Sequence, residues 1–193
     1  MNIEELKVKA ENIVENIKDK GIYLKENTFI DYKLELKLSP NVSNVLIFLR
    51  NFAKDILAFA NKDGGLLLLG FNENKETGEI TDIGLKEDDI NILRAIDLKD
   101  LSDQFVKMFD AQIVVDIHAF NIAARKFYYI LIEKHNSILI PKNDFLDYGL
   151  KKGDIIYRSA GNNLKANERT SEFNTFIEAK VNEKNKEFMQ IWS

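Results

Sequence analysis

The chain has 193 residues, the length of one domain or of one domain with an added arm. Hydrophobic residues make up 45% of it, enough to build a core, and this excludes a globally disordered chain. Because there is no cysteine, disulfides, cysteine-based zinc sites and thiol catalysis are excluded, and the net charge of −4 argues against tight, non-specific coating of nucleic acid.

The N-terminal segment predicts an amphipathic helix over residues 2–20, with Gly21 as its stop. This helix either packs on its own domain or serves as a short dimer helix, and the sequence leaves both open. The first residues lack the basic region and apolar run of a signal peptide. The longest apolar runs fall far short of the roughly 20 residues of a membrane span. We therefore expect a cytoplasmic protein with no membrane partner.

The next segments predict a strand, a helix and a second strand. Apolar and charged residues alternate strictly over residues 28–38, which predicts a strand. Its buried face would include Ile30 and Tyr32, and its solvated face would include Asp31, Lys33 and nearby charges. Ser43 is a candidate N-cap for a helix over residues 43–61. The run 66–71 is apolar on both faces, as in a central strand. A turn at residues 74–78 and a return strand at residues 79–83 follow.

The second half of the chain predicts two further helices, a hairpin, a short strand and a terminal helix. Their expected ranges are 87–96, 98–110, 112–120 with 126–134, 153–159 and 171–191. We expect an α+β fold with a mixed or antiparallel sheet flanked by helices, in a single domain over residues 1–193. The terminal segments 1–21 and 170–193 would pack on that domain or be used in oligomerisation, which would give a homodimer.

Three segments carry a resemblance to a known family. They are Glu26-Asn27-Thr28-Phe29-Ile30-Asp31-Tyr32-Lys33, then Ala58-Phe59-Ala60-Asn61-Lys62-Asp63-Gly64-Gly65 with the following Leu68-Leu69-Gly70-Phe71-Asn72-Glu73, and finally Tyr157-Arg158-Ser159-Ala160-Gly161-Asn162-Asn163. Together they resemble the Schlafen AlbA-like domain family. The resemblance covers roughly residues 5–175 and implies a compact α+β module that handles nucleic acid.

The physical role of the middle segment stands without the family. A helix must end, reverse and enter a central strand at once. Asn61 can take the left-handed conformation, and Gly64-Gly65 permits backbone geometry that a side chain would block. No Gly-rich loop followed by Lys and Ser or Thr exists, so ATP binding of the P-loop kind is not supported.

Three acids are the candidate catalytic and metal-binding residues. The resemblance implies Glu26, Asp31 and Glu73, since in some Schlafen relatives three acids at these positions support metal-dependent cleavage of structured RNA. A carboxylate cluster repels itself unless a cation lies in it, and Mg²⁺ or Mn²⁺ takes such hard oxygen ligands. In the family the second acid is usually Glu and the third is commonly Asp. This chain has the shorter Asp31 at the second position and the longer Glu73 at the third. Ordinary solvated acids are the alternative.

Candidate nucleic-acid-binding residues are basic or amide side chains near these acids. Lys33 and Lys37 share the predicted polar face of Asp31. Arg158 begins a polar loop suited to phosphate or sugar contacts. The full set is Lys33, Lys37, Arg158, Asn162 and Lys165.

Three functions remain open from the sequence. The first is a divalent-metal-dependent endoribonuclease, and the second is a non-catalytic module that binds RNA or single-stranded DNA. The third is a regulatory or protein-interaction unit, which the acidic charge and the N-terminal helix would suit. A fold alone does not select a function. Nucleic-acid binding is common to the first two functions, and it is therefore the prediction that we carry forward.

Overall fold

The computed structural model of the chain describes residues 2–191. The helices are α1 (Ile3–Lys20), α2 (Asn44–Asn61), α3 (Glu87–Arg94), α4 (Leu98–Phe109) and α5 (Thr170–Ile191). The strands are β1 (Ile30–Lys33), β2 (Gly65–Leu69), β3 (Phe71–Glu73), β4 (Ile80–Asp82), β5 (Val115–Ile122), β6 (Arg125–Ile132), β7 (Ile156–Ser159) and β8 (Asn162–Lys165). The α+β fold with a mixed sheet flanked by helices, expected from the sequence, is confirmed.

The main sheet has four strands in the order β1-β2-β6-β5. β1 runs parallel to β2, with Asp31 opposite Leu67, and the other neighbours are antiparallel. The parallel pair is joined through α2, as a crossover between parallel strands requires. β3 with β4, and β7 with β8, form two separate two-stranded sheets.

Both faces of the main sheet are covered by helices. Leu67 and Leu69 face a core shared with α2, α3 and α4, whereas Leu66 and Leu68 face a core shared with α1. This division follows from the alternation of side chains along a strand. It explains why the β2 sequence is apolar at every position, and the same burial on both sides applies to Ile30 and Asp31 of β1.

α1 and α2 each begin one residue after the predicted start, and the predicted N-cap Ser43 is confirmed for α2. Asn2 caps α1 in a reciprocal arrangement with Glu5, and Gly21 ends the helix with a left-handed φ of 62°. The Ser43 hydroxyl accepts a hydrogen bond from the Leu46 amide at the start of α2. These local signals fix the ends of the two helices that cover opposite faces of the sheet.

The first strand is much shorter than the alternating pattern predicts. β1 ends at Lys33, because its carbonyl accepts a hydrogen bond from Gly70, where φ of 98° turns the neighbouring chain away. Beyond this point side chains satisfy the backbone: the Leu36 amide donates to Asp89 and the Lys37 amide to Asn51. Residues 34–38 therefore lie outside the sheet, and the prediction of a strand over residues 28–38 is wrong for this half.

Gly70 also divides the second predicted strand. Residues 66–69 belong to β2 in the main sheet, but residues 71–73 form β3, which pairs with β4. β1 and β2, which correspond to the first two predicted strands, lie side by side in one sheet. The prediction of one uninterrupted strand is wrong, because the positive φ at Gly70 redirects the chain.

Asn61 has a different role from the one its sequence context suggests. It is the last residue of α2, fully buried, and does not adopt a positive φ. Its side chain donates to the carbonyls of Leu139 and Ile156 and accepts from the Leu139 amide at 2.6 Å. Asn61 thus joins the end of α2 to two other chain segments.

The C-terminal helix uses only part of its predicted apolar side. Phe176 is buried against Tyr157 of β7, whereas Val181 is 51% exposed and Phe188 is 64% exposed. Position 1 and positions 192–193 of the predicted terminal segments lie outside the described residues. Within residues 2–191, no helix is both long enough and apolar enough to cross a membrane.

Substitution of Gly64 tests whether the backbone between α2 and β2 lies in close contact with β6. A Cβ at Gly64 (φ of 79°) would lie 2.7 Å from the Ile132 carbonyl oxygen, whereas at Gly149 (φ of 69°) it would meet nothing within 4 Å. We expect Gly149→Ala to lower the free energy of unfolding by about 1–2 kcal/mol, the cost of a left-handed conformation. Gly64→Ala should lower it by about 1–3 kcal/mol more, because overpacking is added. Urea denaturation measures both, and equal losses would contradict the close approach.

Candidate functional site

An open cavity of about 390 Å³ lies where β1, β3, α2 and the β7–β8 hairpin meet. It is named here the carboxylate cavity. Seven charged residues line it, and they are Glu26, Asp31, Lys33, Asp55, Glu73, Lys75 and Arg158. All three acids singled out in the sequence therefore reach one cavity, although more than 40 residues separate Asp31 from Glu73.

Asp31 is buried beneath two cations and is not solvated. It is 3% exposed, with Lys33 Nζ 2.7 Å from its Oδ2 and Arg158 Nη2 3.3 Å from its Oδ1. Burial alone would raise the pKa of this carboxyl, but a hydrogen bond with Glu26 and the charges of Lys33 and Arg158 bring the pKa below its usual range. The predicted solvated face of β1 is thus wrong at Asp31, because the β7–β8 hairpin and α2 cover it.

Arg158 is 2% exposed, and its guanidinium is occupied inside the protein. It donates from Nε to the Asn27 carbonyl, from Nη2 to the Ile30 carbonyl and from Nη1 to Asn163 Oδ1, at 3.1–3.2 Å. Its Cζ also lies 4.9 Å from the centre of the Phe59 ring. Arginine stays charged in proteins, so these partners replace the water that it has lost. Arg158 therefore fastens the hairpin to β1.

Asp55 is a residue of the cavity that the sequence reasoning missed. It lies on α2, is 7% exposed, and its Oδ1 is 3.5 Å from Lys33 Nζ and 2.5 Å from Asn163 Nδ2. Burial raises the pKa of Asp55. The sequence did contain a signal for a buried acid here, since Asp55 is the only acid in α2 and is followed by the apolar run 56–60.

Lys33 bridges the two buried acids from a half-covered position. Burial would lower the pKa of its ammonium, but Asp55 and Asp31 together raise it above the ordinary value. The ammonium is therefore firmly charged while its side chain remains 33% exposed at the cavity.

Glu26 and Glu73 lie at the cavity without a cationic partner among residues 2–191. Glu26 Oε1 accepts a hydrogen bond from the Tyr32 amide at 3.0 Å. Burial, the hydrogen bond with Asp31 and the charges of Asp31 and Glu73 raise the pKa of Glu26 to about 8. A proton therefore resides easily on Glu26, which relieves repulsion among the acids.

The cavity suits a divalent cation in the chemistry of its donors, since carboxylate oxygens are the ligands that Mg²⁺ and Mn²⁺ prefer. The Lys33 ammonium already lies between two of the acids. Across residues 2–191, however, no group of three or more His, Cys, Asp or Glu side chains is arranged as a ready metal site. Glu26 and Glu73 are the acids that a cation would reach without displacing an ammonium.

Of the other predicted nucleic-acid-binding residues, only Asn162 lines the carboxylate cavity. Its side-chain amide donates to the Ala160 carbonyl. Lys37 is exposed and Lys165 is ion-paired with Asp154 at 2.8 Å, and neither lines the cavity. Asn72 and Asn163 line it but were not among the predicted site residues.

Arg158→Ala should destabilise the fold strongly. Removing this cation takes from buried Asp31 one of its two cationic partners and takes a donor from the Asn27 and Ile30 carbonyls, and breaking comparable buried pairs costs about 3–5 kcal/mol. Lys165→Ala on the same hairpin removes a partly exposed ion pair and should cost at most about 1 kcal/mol. Chemical denaturation of both variants measures the difference. A loss of less than about 1 kcal/mol in Arg158→Ala would contradict the anchoring role.

Comparison with solved structures finds similar folds at low sequence identity. The crystal structure of the DIP2311 protein from Corynebacterium diphtheriae matches 84% of this chain, with 16% identity and a TM-score of 0.48. This chain covers 30% of that protein's chain. The solution NMR structure of the N-terminal domain of a RecG-related protein from Nitrosomonas europaea matches 79% of this chain and 89% of that domain, with 18% identity and a TM-score of 0.43.

Comparison with curated protein sequences finds no match. The family model described as Schlafen, AlbA_2 matches residues 26–167. This range begins at Glu26, ends just after β8, and includes every residue of the carboxylate cavity. Since the match extends over well more than half of the chain, the chain belongs to the Schlafen AlbA_2 family.

Proposed function

We propose that this chain binds nucleic acid, RNA or single-stranded DNA, and that the carboxylate cavity receives one nucleotide of the strand. The observation that carries the proposal is the convergence of the family's motif residues. Glu26, Asp31, Glu73 and Arg158 come from three separate segments of the sequence, yet all line this one open cavity.

The size of the cavity favours an unpaired nucleotide. Its volume of about 390 Å³ falls in the range of roughly 300–1,000 Å³ that is typical of small-ligand sites. A duplex is about 20 Å across and would lie over the opening, whereas a single nucleotide can turn into it. This supports loops, ends or single strands over paired stems as the bound element.

The charges of the cavity favour contact with phosphate and sugar. Lys33 and Lys75 supply cations, and the side-chain amides of Asn72 and Asn162 supply hydrogen bonds. Such contacts position a strand without reading its sequence. Because four carboxylates line the same cavity and the whole chain carries a net charge of −4, the affinity should be modest and sensitive to salt.

Lys75→Ala is the sharpest test of this binding. Lys75 is exposed, lines the cavity and has no ion-pair partner among the described residues, so its loss should leave the fold intact. We expect weaker binding to several single-stranded RNAs by a similar factor for each, with the salt slope reduced by about 0.7, the value for one phosphate of a single strand. Fluorescence anisotropy at several salt concentrations measures both quantities.

Lys99→Ala is the matched control for this test. Lys99 is also exposed but lies on α4, outside the cavity. It should bind like the wild type, apart from a small general charge effect. Equal affinity of Lys75→Ala and wild type would place the binding surface elsewhere. Failure of the wild type to bind any single strand would favour the protein-interaction alternative.

A second candidate function is metal-dependent cleavage of RNA. It is favoured by the position of Glu26, Asp31 and Glu73 around one cavity, since in some Schlafen relatives acids at these motif positions support metal-dependent cleavage of structured RNA. Glu26 and Glu73 would hold Mg²⁺ or Mn²⁺, and Asp31 would join them only where the Lys33 ammonium is displaced. Such an ion, when bound, activates water and stabilises a leaving oxygen. Lys33 and Lys75 would hold the phosphate beside the acids.

Glu73→Gln tests the cleavage candidate with little risk to the fold. It removes one candidate ligand charge from the half-exposed strand β3, whereas Asp31→Asn would also disturb a buried ion-pair network. We expect RNA cleavage in Mn²⁺ to fall by a factor of at least about 100, because ligands that act as a unit are not additive. Glu26→Gln should behave in the same way.

Glu76→Gln, in the exposed turn after β3, is the control and should cleave like the wild type. Cleavage that continues in EDTA would reveal a contaminating or metal-independent nuclease. Wild-type rates in Glu73→Gln would remove this residue from the proposed site. A clean wild type that binds RNA and leaves it intact would support the binding module alone.

A further inference from the structure

A second cavity, of about 430 Å³, lies on the other side of the β3–β4 hairpin. It is named here the basic cavity and is lined by three cations, Arg94, Arg125 and Lys126, and one acid, Glu87. The carboxylate cavity, by contrast, holds four acids and three cations. A concave surface with this excess of positive charge stands out on a chain whose net charge is −4.

Two of the cations have no acidic partner. Neither Arg94 nor Lys126 forms an ion pair or a side-chain hydrogen bond with any residue of the described range 2–191. Arg94 is exposed at the end of α3, and Lys126 is half-buried on β6. Both charges are therefore available to an anion, since no acid of the described range 2–191 neutralises them.

The third cation is held in a fixed position. Arg125 Nη2 is 2.8 Å from Asp82 Oδ2, and Nη1 donates to the Asp82 carbonyl. Gly84, with φ of 86°, leaves room for this side chain, since a Cβ there would lie 3.0 Å from Arg125 Cβ. The Leu85 amide donates to the Lys126 carbonyl at 2.9 Å and holds the segment after β4 against β6. Hydrogen bonds between the segment after β4 and β6 thus hold this wall of the basic cavity in place.

The two cavities adjoin across one pair of strands. Phe71 lines the carboxylate cavity and is paired with Asp82, which anchors Arg125. Ile83 and Gly84, which line the basic cavity, donate their amides to the Gly70 carbonyl. The two cavities therefore lie beside the same β3–β4 hairpin, where one extended strand of several nucleotides could contact both.

We infer that the basic cavity binds a backbone phosphate of the same nucleic-acid strand whose nucleotide enters the carboxylate cavity. This inference rests on the proposed nucleic-acid binding and extends it to a second binding point. It gives the strand a defined path across the β3–β4 hairpin. It also places the main electrostatic attraction away from the acids, where phosphate would otherwise be repelled.

The test compares short and long strands with a double variant. Arg94→Ala/Lys126→Ala removes both unpaired cations from exposed or half-buried positions. We expect its affinity for a 12-nucleotide single-stranded RNA to fall about tenfold or more, with the salt slope lowered by about 0.7 for each phosphate that the protein no longer neutralises. A dinucleotide, which is too short to span both cavities, should bind the variant and the wild type equally.

Two controls isolate the charge of this cavity. Lys18→Ala/Lys20→Ala removes two exposed cations from α1 and should keep the affinity for the 12-nucleotide RNA near the wild-type value. Arg94→Lys/Lys126→Arg keeps both charges and should also retain it. Thermal melting of every variant checks the fold. A loss as large in the charge-keeping variant as in the alanine variant would overturn the assignment.

The outcome for this inference is separable from that for the proposed function. If the alanine double variant binds the long RNA like the wild type while Lys75→Ala binds it weakly, the basic cavity is not a phosphate site and the carboxylate cavity stands. If the wild type binds neither the dinucleotide nor the 12-nucleotide RNA, both proposals fail together.

Discussion

Arg158 carries a permanent charge that the protein holds away from water, and the surroundings of the carboxylate cavity follow from this requirement. Burying a guanidinium is costly unless nearly all of its donors find acceptors. Here the acceptors come from the chain before β1, from β1 itself and from β8, with the Phe59 ring of α2 beneath. One side chain therefore fixes the relative positions of four elements, and a shift in any of them would leave a polar group without its partner.

The contacts of Arg158 also fix the positions of the charged groups inside the carboxylate cavity. Arg158 holds Asp31 and Asn163, Asn163 holds Asp55, and Lys33 lies between Asp31 and Asp55. In such a network the neighbouring groups compensate one another's charge. The less compensated residues, Glu26, Glu73 and Lys75, lie where a ligand can reach them. The fixed inner groups thus position the outer ones, and this is the arrangement that a binding or catalytic site requires.

The distribution of charge between the two cavities bears on how an acidic protein could bind an acidic polymer. A net charge of −4 repels nucleic acid at long range, but screening limits this repulsion to about 8–10 Å at physiological salt. Local groups then dominate. Arg94 and Lys126 would attract a phosphate at one side of the β3–β4 hairpin, and the acids would act on the neighbouring nucleotide at the other side. In the proposed arrangement, the separation of the two roles would combine electrostatic attraction of the strand with carboxylate chemistry in one chain.

The sequence predicts the helices and the segments of β1 and β2 through local periodicity and capping residues, and through the family's motif it implies the three acids that meet at one cavity. It did not determine where β1 ends, since that depends on Gly70 turning the neighbouring chain away and on Asp89 and Asn51 satisfying the backbone beyond. It also placed Asp31 and Arg158 at the surface. Only tertiary packing decides whether a polar face of a strand meets water or another element, and here α2 and the β7–β8 hairpin cover it. Asp55 became a site residue for the same reason, because its partner Asn163 lies more than 100 residues away and is brought beside it only by the fold.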